Sequence, residues 1–137
     1  MIDIQITTVE FEPLPARCGR TDCGAELVFH GVVRDSEGGE PITALFYEHY
    51  PGMAEKELRR LADEAVMRFG LDDLICHHRV GVVPAGEASL RVVMRARHRG
   101  AVLDAMAWFI SALKRDVPIW KWGVRADGSR FPSQGGG

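Results

Sequence analysis

The chain has 137 residues, 46% of them hydrophobic and 26% charged, with a formal net charge of −2. That length suits one domain whose core needs no disulfides, and the composition excludes disorder. The slight negative charge argues against nucleic acid as a partner, and no run approaches the ~18 apolar residues of a membrane span. Met1-Ile2-Asp3 lacks the basic start of a secretion signal, and the odd set Cys18, Cys23 and Cys76 fits reduced thiols, so a cytoplasmic protein is expected.

Ile2 to Thr8 alternates apolar and polar residues and predicts a half-buried strand. Residues 9–23 hold Pro13, Pro15, Gly19 and two cysteines and read as irregular or a short helix; 1–23 as a whole is expected to be variable. Gly24–Arg34 is β-branched and aromatic-rich and predicts a second strand. Asp35–Pro41 is polar with two glycines and predicts a mobile loop. Thr43–Tyr50 predicts a further strand, antiparallel to the previous one across that loop.

Pro51-Gly52 breaks the strand, and a helix is predicted over Met53–Phe69. Leu58, Leu61, Ala62, Ala65 and Phe69 form its apolar stripe, and Gly70 stops it. Leu74–Val80 predicts a short strand and Pro84-Ala-Gly86 a turn. Glu87–Arg97 alternates most clearly, with Ala88, Leu90, Val92, Met94 and Ala96 on one face and Ser89, Arg91, Val93, Arg95 and Arg97 on the other.

Ala101–Arg115 predicts an amphipathic helix that buries Val102, Met106, Phe109, Ile110 and Leu113. The chain turns at Asp116-Val117-Pro118, runs extended over Ile119–Arg125, and reverses at Asp127-Gly128 into Ser129–Phe131. The tail, 132–137 with Gly135-Gly-Gly137, predicts a flexible end. This order of elements favours an α+β fold with mostly antiparallel sheet.

Three groups of residues carry chemical promise. Arg34 ends an apolar strand beside a glycine loop, and its guanidinium fork suits phosphate or carboxylate. Arg97-His98-Arg99 sits at a strand-to-helix junction, where backbone N–H groups and the positive helix end favour an anion. Lys114 and Lys121 flank the corner at Pro118, beside Trp120 and Trp122, where partial desolvation lowers a lysine pKa toward proton-transfer range. Cys76-His77-His78 is no metal motif, because neighbours on a strand point to opposite faces. Cys18 and Cys23 lack a second ligand pair, so no metal site is expected.

Taken together, Phe29-His-Gly-Val-Val-Arg34, Tyr47-Glu-His-Tyr-Pro-Gly-Met53, His78-Arg-Val-Gly81 followed by Pro84-Ala-Gly-Glu87, Arg97-His-Arg99, and Leu113-Lys114 with Pro118-Ile-Trp-Lys121 resemble the large, catalytic subunit of molybdopterin synthase. The resemblance runs from about Gly24 to Phe131. It implies an α/β-hammerhead fold with a small added antiparallel subdomain, and a single domain over 1–137. The implied activity is sulfur insertion into cyclic pyranopterin monophosphate to make the molybdopterin dithiolene. Sulfur would come from the C-terminal thiocarboxylate of a small ubiquitin-like subunit ending in Gly-Gly, within a heterotetramer built on a homodimer of this chain. No metal or organic cofactor is implied.

Carried over by position, the resemblance implies substrate binding by Val32, Val33 and Arg34, and by Lys121 with Trp122 and Gly123 after it. His98 and Arg99 match an anion-binding pair that reaches the site from the dimer partner. Lys114 matches a lysine beside the incoming tail, Lys121 a second active-site lysine, and Phe29 and Ile110 positions lining the pocket. The family commonly follows its second lysine with a basic residue and a glutamate, where this chain has Trp122 and Gly123. Ile110 replaces a frequent methionine and Phe131 a usual tryptophan. Trp122 and Gly123 in place of that pair motivate an alternative reading: a non-catalytic relative that dimerises and binds the small subunit or a small phosphate-bearing ligand without turnover.

Overall fold

Residues 1–14 and 20–133 are described by the computed structural model, and these contain ten strands and two helices. The fold is α+β with mostly antiparallel sheet. Cys18 and Gly135–Gly137 lie outside the described residues.

The first sheet has the order β1 (Ile2–Thr7), β6 (Asp73–Arg79), β8 (Ala88–Ala96), β2 (Ala25–Val32). Only β1 and β6 run parallel in it. Helices α1 (Met53–Phe69) and α2 (Arg99–Asp116) cover one face, on which Leu74, Cys76, Leu90, Val92, Met94 and Ala96 are buried. Alanines at 54, 62 and 65 on α1 and at 105 and 112 on α2 belong to this core, and small side chains let the two helices approach closely. Phe109, with no exposed surface, is its largest fully buried side chain; a buried phenylalanine contributes roughly 1.5–3 kcal/mol by leaving water.

The other face of this sheet is also buried, although it carries charge. Arg95 donates to Glu26 at 2.7 Å and to Asp73 at 3.2 Å. Arg91 donates to the Glu12 carbonyl at 2.6 Å and stacks over the Phe11 ring, so Phe11 and Glu12 lie against this surface. Burying a guanidinium is tolerable only with such partners. Arg95 is therefore a structural cation, held by the Glu26 and Asp73 carboxylates.

The second sheet has the order β10 (Arg130–Pro132), β9 (Ile119–Val124), β5 (Ala44–His49), β7 (Gly81–Pro84), and every pairing in it is antiparallel. A smaller core of Val33, Ile42, Leu45 and Val83 lies under it. Two expectations are corrected here. Residues 44–49 do not pair with β2, because the ladder of β2 shifts register between Gly31 and Val32 and the chain crosses to the second sheet. The polar loop forms a hairpin of its own, β3 (Ser36–Glu37) with β4 (Glu40–Pro41). Gly38 and Gly39 turn it with φ of 57° and 81°, positive values that a type I′ turn requires and glycine supplies without strain.

Helix α1 matches its expected bounds, ending at Gly70. Helix α2 starts two residues earlier than expected, and Ile110 is only half-buried on it, at the margin of a stripe that Ala105 and Ala112 complete. Residues 9–14 and 20–23 carry neither helix nor strand.

Candidate active site

The corner after α2 is built from local hydrogen bonds. The Val117 N–H closes the last turn on the Leu113 carbonyl, and Pro118, which has no N–H, ends the helix. The Tyr50 N–H donates to the Pro118 carbonyl at 3.1 Å, tying the corner to the end of β5. Lys114 thus sits in the last turn of α2, while Lys121 lies on β9 opposite Tyr47.

Around this corner opens a cleft of about 650 Å³, lined by both sheets and the end of α2. Arg34, Lys114 and Lys121 supply its cations, and Phe29, Tyr47, His78 and Trp120 much of its aromatic wall. Val32 and Trp120, each 54% exposed, are apolar lining residues open to solvent. A carboxylate also lines the cleft. Glu37, buried on the β3 strand, accepts from Arg34 at 3.3 Å and from the Ser133 hydroxyl, and lies 4.0 Å from the Lys121 ammonium.

Electrostatics follow from burial and from these neighbours. Desolvation holds the Lys121 ammonium below the usual lysine range; Glu37 opposes that shift, and Lys114 and Arg34 add to it. Burial raises the Tyr47 phenol, whose hydroxyl lies 2.9 Å from Ser89 Oγ. His78 packs edge-on to the Tyr47 ring with centroids 5.2 Å apart. Its Nδ1–H donates to the Arg79 carbonyl at 2.7 Å, and burial pushes its pKa down to about 4, so it is a neutral imidazole at physiological pH. The arrangement offers a positively charged wall for an anion, a neutral aromatic wall, and a lysine tuned toward proton transfer.

Of the residues singled out from sequence, Phe29, Val32, Arg34, Lys114, Lys121 and Trp122 line this cleft. Val33 does not, because the register shift turns it into the smaller core. Ile110 packs at the edge of the main core. His98 and Arg99 are exposed at the other end of α2, about 22 Å from Lys114 along a helix rising about 1.5 Å per residue. Within one chain they cannot reach the cleft. Gly123 is buried beneath the Phe131 ring, its partner across the β9–β10 ladder.

Sequence reasoning missed Glu37, Tyr47, His78 and Ser89 as lining residues. Tyr47 was the most accessible to inference, since it shares a strand face with the buried Leu45. Cys76 has no exposed surface and burial raises its thiol pKa, so it is no nucleophile. Among the described residues, no three His, Cys, Asp or Glu side chains gather as a metal site requires.

Comparison with known proteins gives the chain's relatives. A family model described as "MoaE protein" matches residues 4–116. A molybdopterin synthase catalytic subunit of Mesorhizobium japonicum is 44% identical over 111 residues, which cover 81% of this chain and 69% of that protein. One from Thermoplasma volcanium is 35% identical over 92% of this chain and 93% of its own. The solved molybdopterin biosynthesis MoaE protein of Burkholderia ambifaria superposes with a TM-score of 0.78 at 30% identity, covering 100% of this chain and 93% of that one.

Proposed function

The chain belongs to the MoaE protein family, and from that membership we propose that it is the catalytic subunit of a molybdopterin synthase. It is a sulfurtransferase of molybdenum cofactor biosynthesis. Its partner is a small ubiquitin-like subunit whose Gly-Gly C-terminus carries sulfur as a thiocarboxylate, and its substrate is cyclic pyranopterin monophosphate. The catalytic unit spans residues 1–137, dimerises within a heterotetramer, and works in the cytoplasm. No helix among the described residues is long and apolar enough to cross a membrane.

One observation carries this reading: Lys114 and Lys121, brought from either side of the Pro118 corner, line one cleft with Arg34. An anionic tail and an anionic pterin must both be held there, and charge develops as the cyclic phosphate opens. Arg34 and Lys121 bind the substrate, and Lys121 assists as acid or base with its lowered pKa. Lys114 positions the tail and moves protons as the sulfur attacks the pterin side chain. His98 and Arg99, remote from their own cleft, serve the cleft of the dimer partner.

Reconstitution with the thiocarboxylated small subunit and the cyclic precursor tests these roles. Lys114→Ala should lower product formation by about 10²-fold or more, the usual worth of a positioned proton-transfer group. Normal turnover by that variant would remove Lys114 from the mechanism. The non-catalytic alternative drew its support from Trp122 and Gly123. That support weakens, because Glu37 places a carboxylate beside Lys121.

A further inference from the structure

We propose that Glu37 is a positioning residue of this cleft, its carboxylate holding Arg34 and Lys121 against one wall. Three observations carry the inference. Glu37 is 7% exposed, and a carboxylate so far from water persists only with compensating partners. The partners it has are the Arg34 guanidinium at 3.3 Å, the Lys121 ammonium at 4.0 Å and the Ser133 hydroxyl, and all three side chains line the cleft. Ser133 is itself fixed, since its backbone N–H donates to the Lys121 carbonyl at 3.0 Å. The carboxylate is therefore locked to the same stretch of β9 that carries Lys121.

Charge explains what such a group does. Arg34, Lys114 and Lys121 line one cleft, and Arg34 and Lys114 both disfavour the charged form of Lys121. Among the described residues that line the cleft, Glu37 is the one carboxylate beside Arg34, Lys114 and Lys121, and it offsets that repulsion. Glu37 lies beside the half-buried Lys121, whose charged form burial disfavours. The place of this device in a reaction rests on the sulfur-transfer reading; the coupling of Glu37 to Lys121 does not.

The chain has three lysines, Lys56, Lys114 and Lys121, so ε-13C-lysine NMR can follow each through a pH titration, with Lys121 assigned by loss of its signal in Lys121→Arg. In Glu37→Gln the Lys121 midpoint should fall by about one pH unit, the effect of removing an opposite charge at this range. The signal of Lys56, exposed on α1, is the reference. Glu37→Asp keeps the charge but shortens its reach, and should lower the midpoint by less; it serves as the test if Glu37→Gln does not fold. In reconstituted turnover, the limb of the pH profile that Lys121 governs should move acidward by the same amount in Glu37→Gln and partly return in Glu37→Asp. A Lys121 midpoint that stays or rises in a folded variant overturns the proposal. A midpoint that falls as expected, in a protein whose wild type makes no product, upholds the coupling and overturns the sulfur-transfer reading instead.

Discussion

At Gly123 an added Cβ would lie 2.4 Å from the tip of the Phe131 ring, closer than any real contact. Here the aromatic ring takes the space a side chain at this strand position would need. Single-residue reading sees only a glycine; what fills the position lies across a ladder, in a residue eight positions later. His78 shows the same limit. Its place in the sequence between His77 and Arg79 says nothing of its surroundings; it is buried and neutral with a pKa of about 4. Because the unfolded imidazole titrates near 6.5, the unfolded state binds the extra proton between those values, so stability is full above pH ~6.5 and falls as pH drops toward 4. From pH 7 to pH 5 this group alone should remove about 2 kcal/mol, read by urea denaturation. His78→Asn, which keeps a donor for the Arg79 carbonyl, should lose that share of the pH dependence; an unchanged slope would place the effect elsewhere.

Elements were legible where a periodic pattern runs over many residues. Helix α1 matches its expected bounds because its stripe and Gly70 signal the same span, and β8 was plain from its alternation. What the sequence could not convey is which strand pairs with which. Apolar strands on either side of a polar glycine loop suggest a simple hairpin, but the register shift at Gly31–Val32 sends the chain to a second sheet. The two-residue strands of β3 and β4 are too short to show a period, so Glu37 was hidden in a loop. That hairpin depends on its turn. Gly38→Asn should be tolerated, since asparagine suits the first position of a type I′ turn, whereas Gly39→Val should cost about 1–2 kcal/mol or more in denaturation. The valine variant should also slow turnover, because it displaces Glu37. Wild-type stability and turnover in Gly39→Val would show that the hairpin does not hold the carboxylate.

For the whole molecule, the cleft joins residues from both sheets and the end of α2, which is why the Pro118 corner alone pointed to two lysines but to no ligand. His98 and Arg99 stand at the far end of α2. The proposed part they play in anion binding requires a second copy of the chain, and on that reading turnover is a property of the assembly. The most direct test combines the wild-type protein with the thiocarboxylated small subunit and cyclic pyranopterin monophosphate, and follows the pterin by mass spectrometry. The account predicts a product carrying two sulfurs as the dithiolene, with the carrier's thiocarboxylate consumed. A stable complex in which the pterin gains no sulfur and the thiocarboxylate stays intact would contradict it.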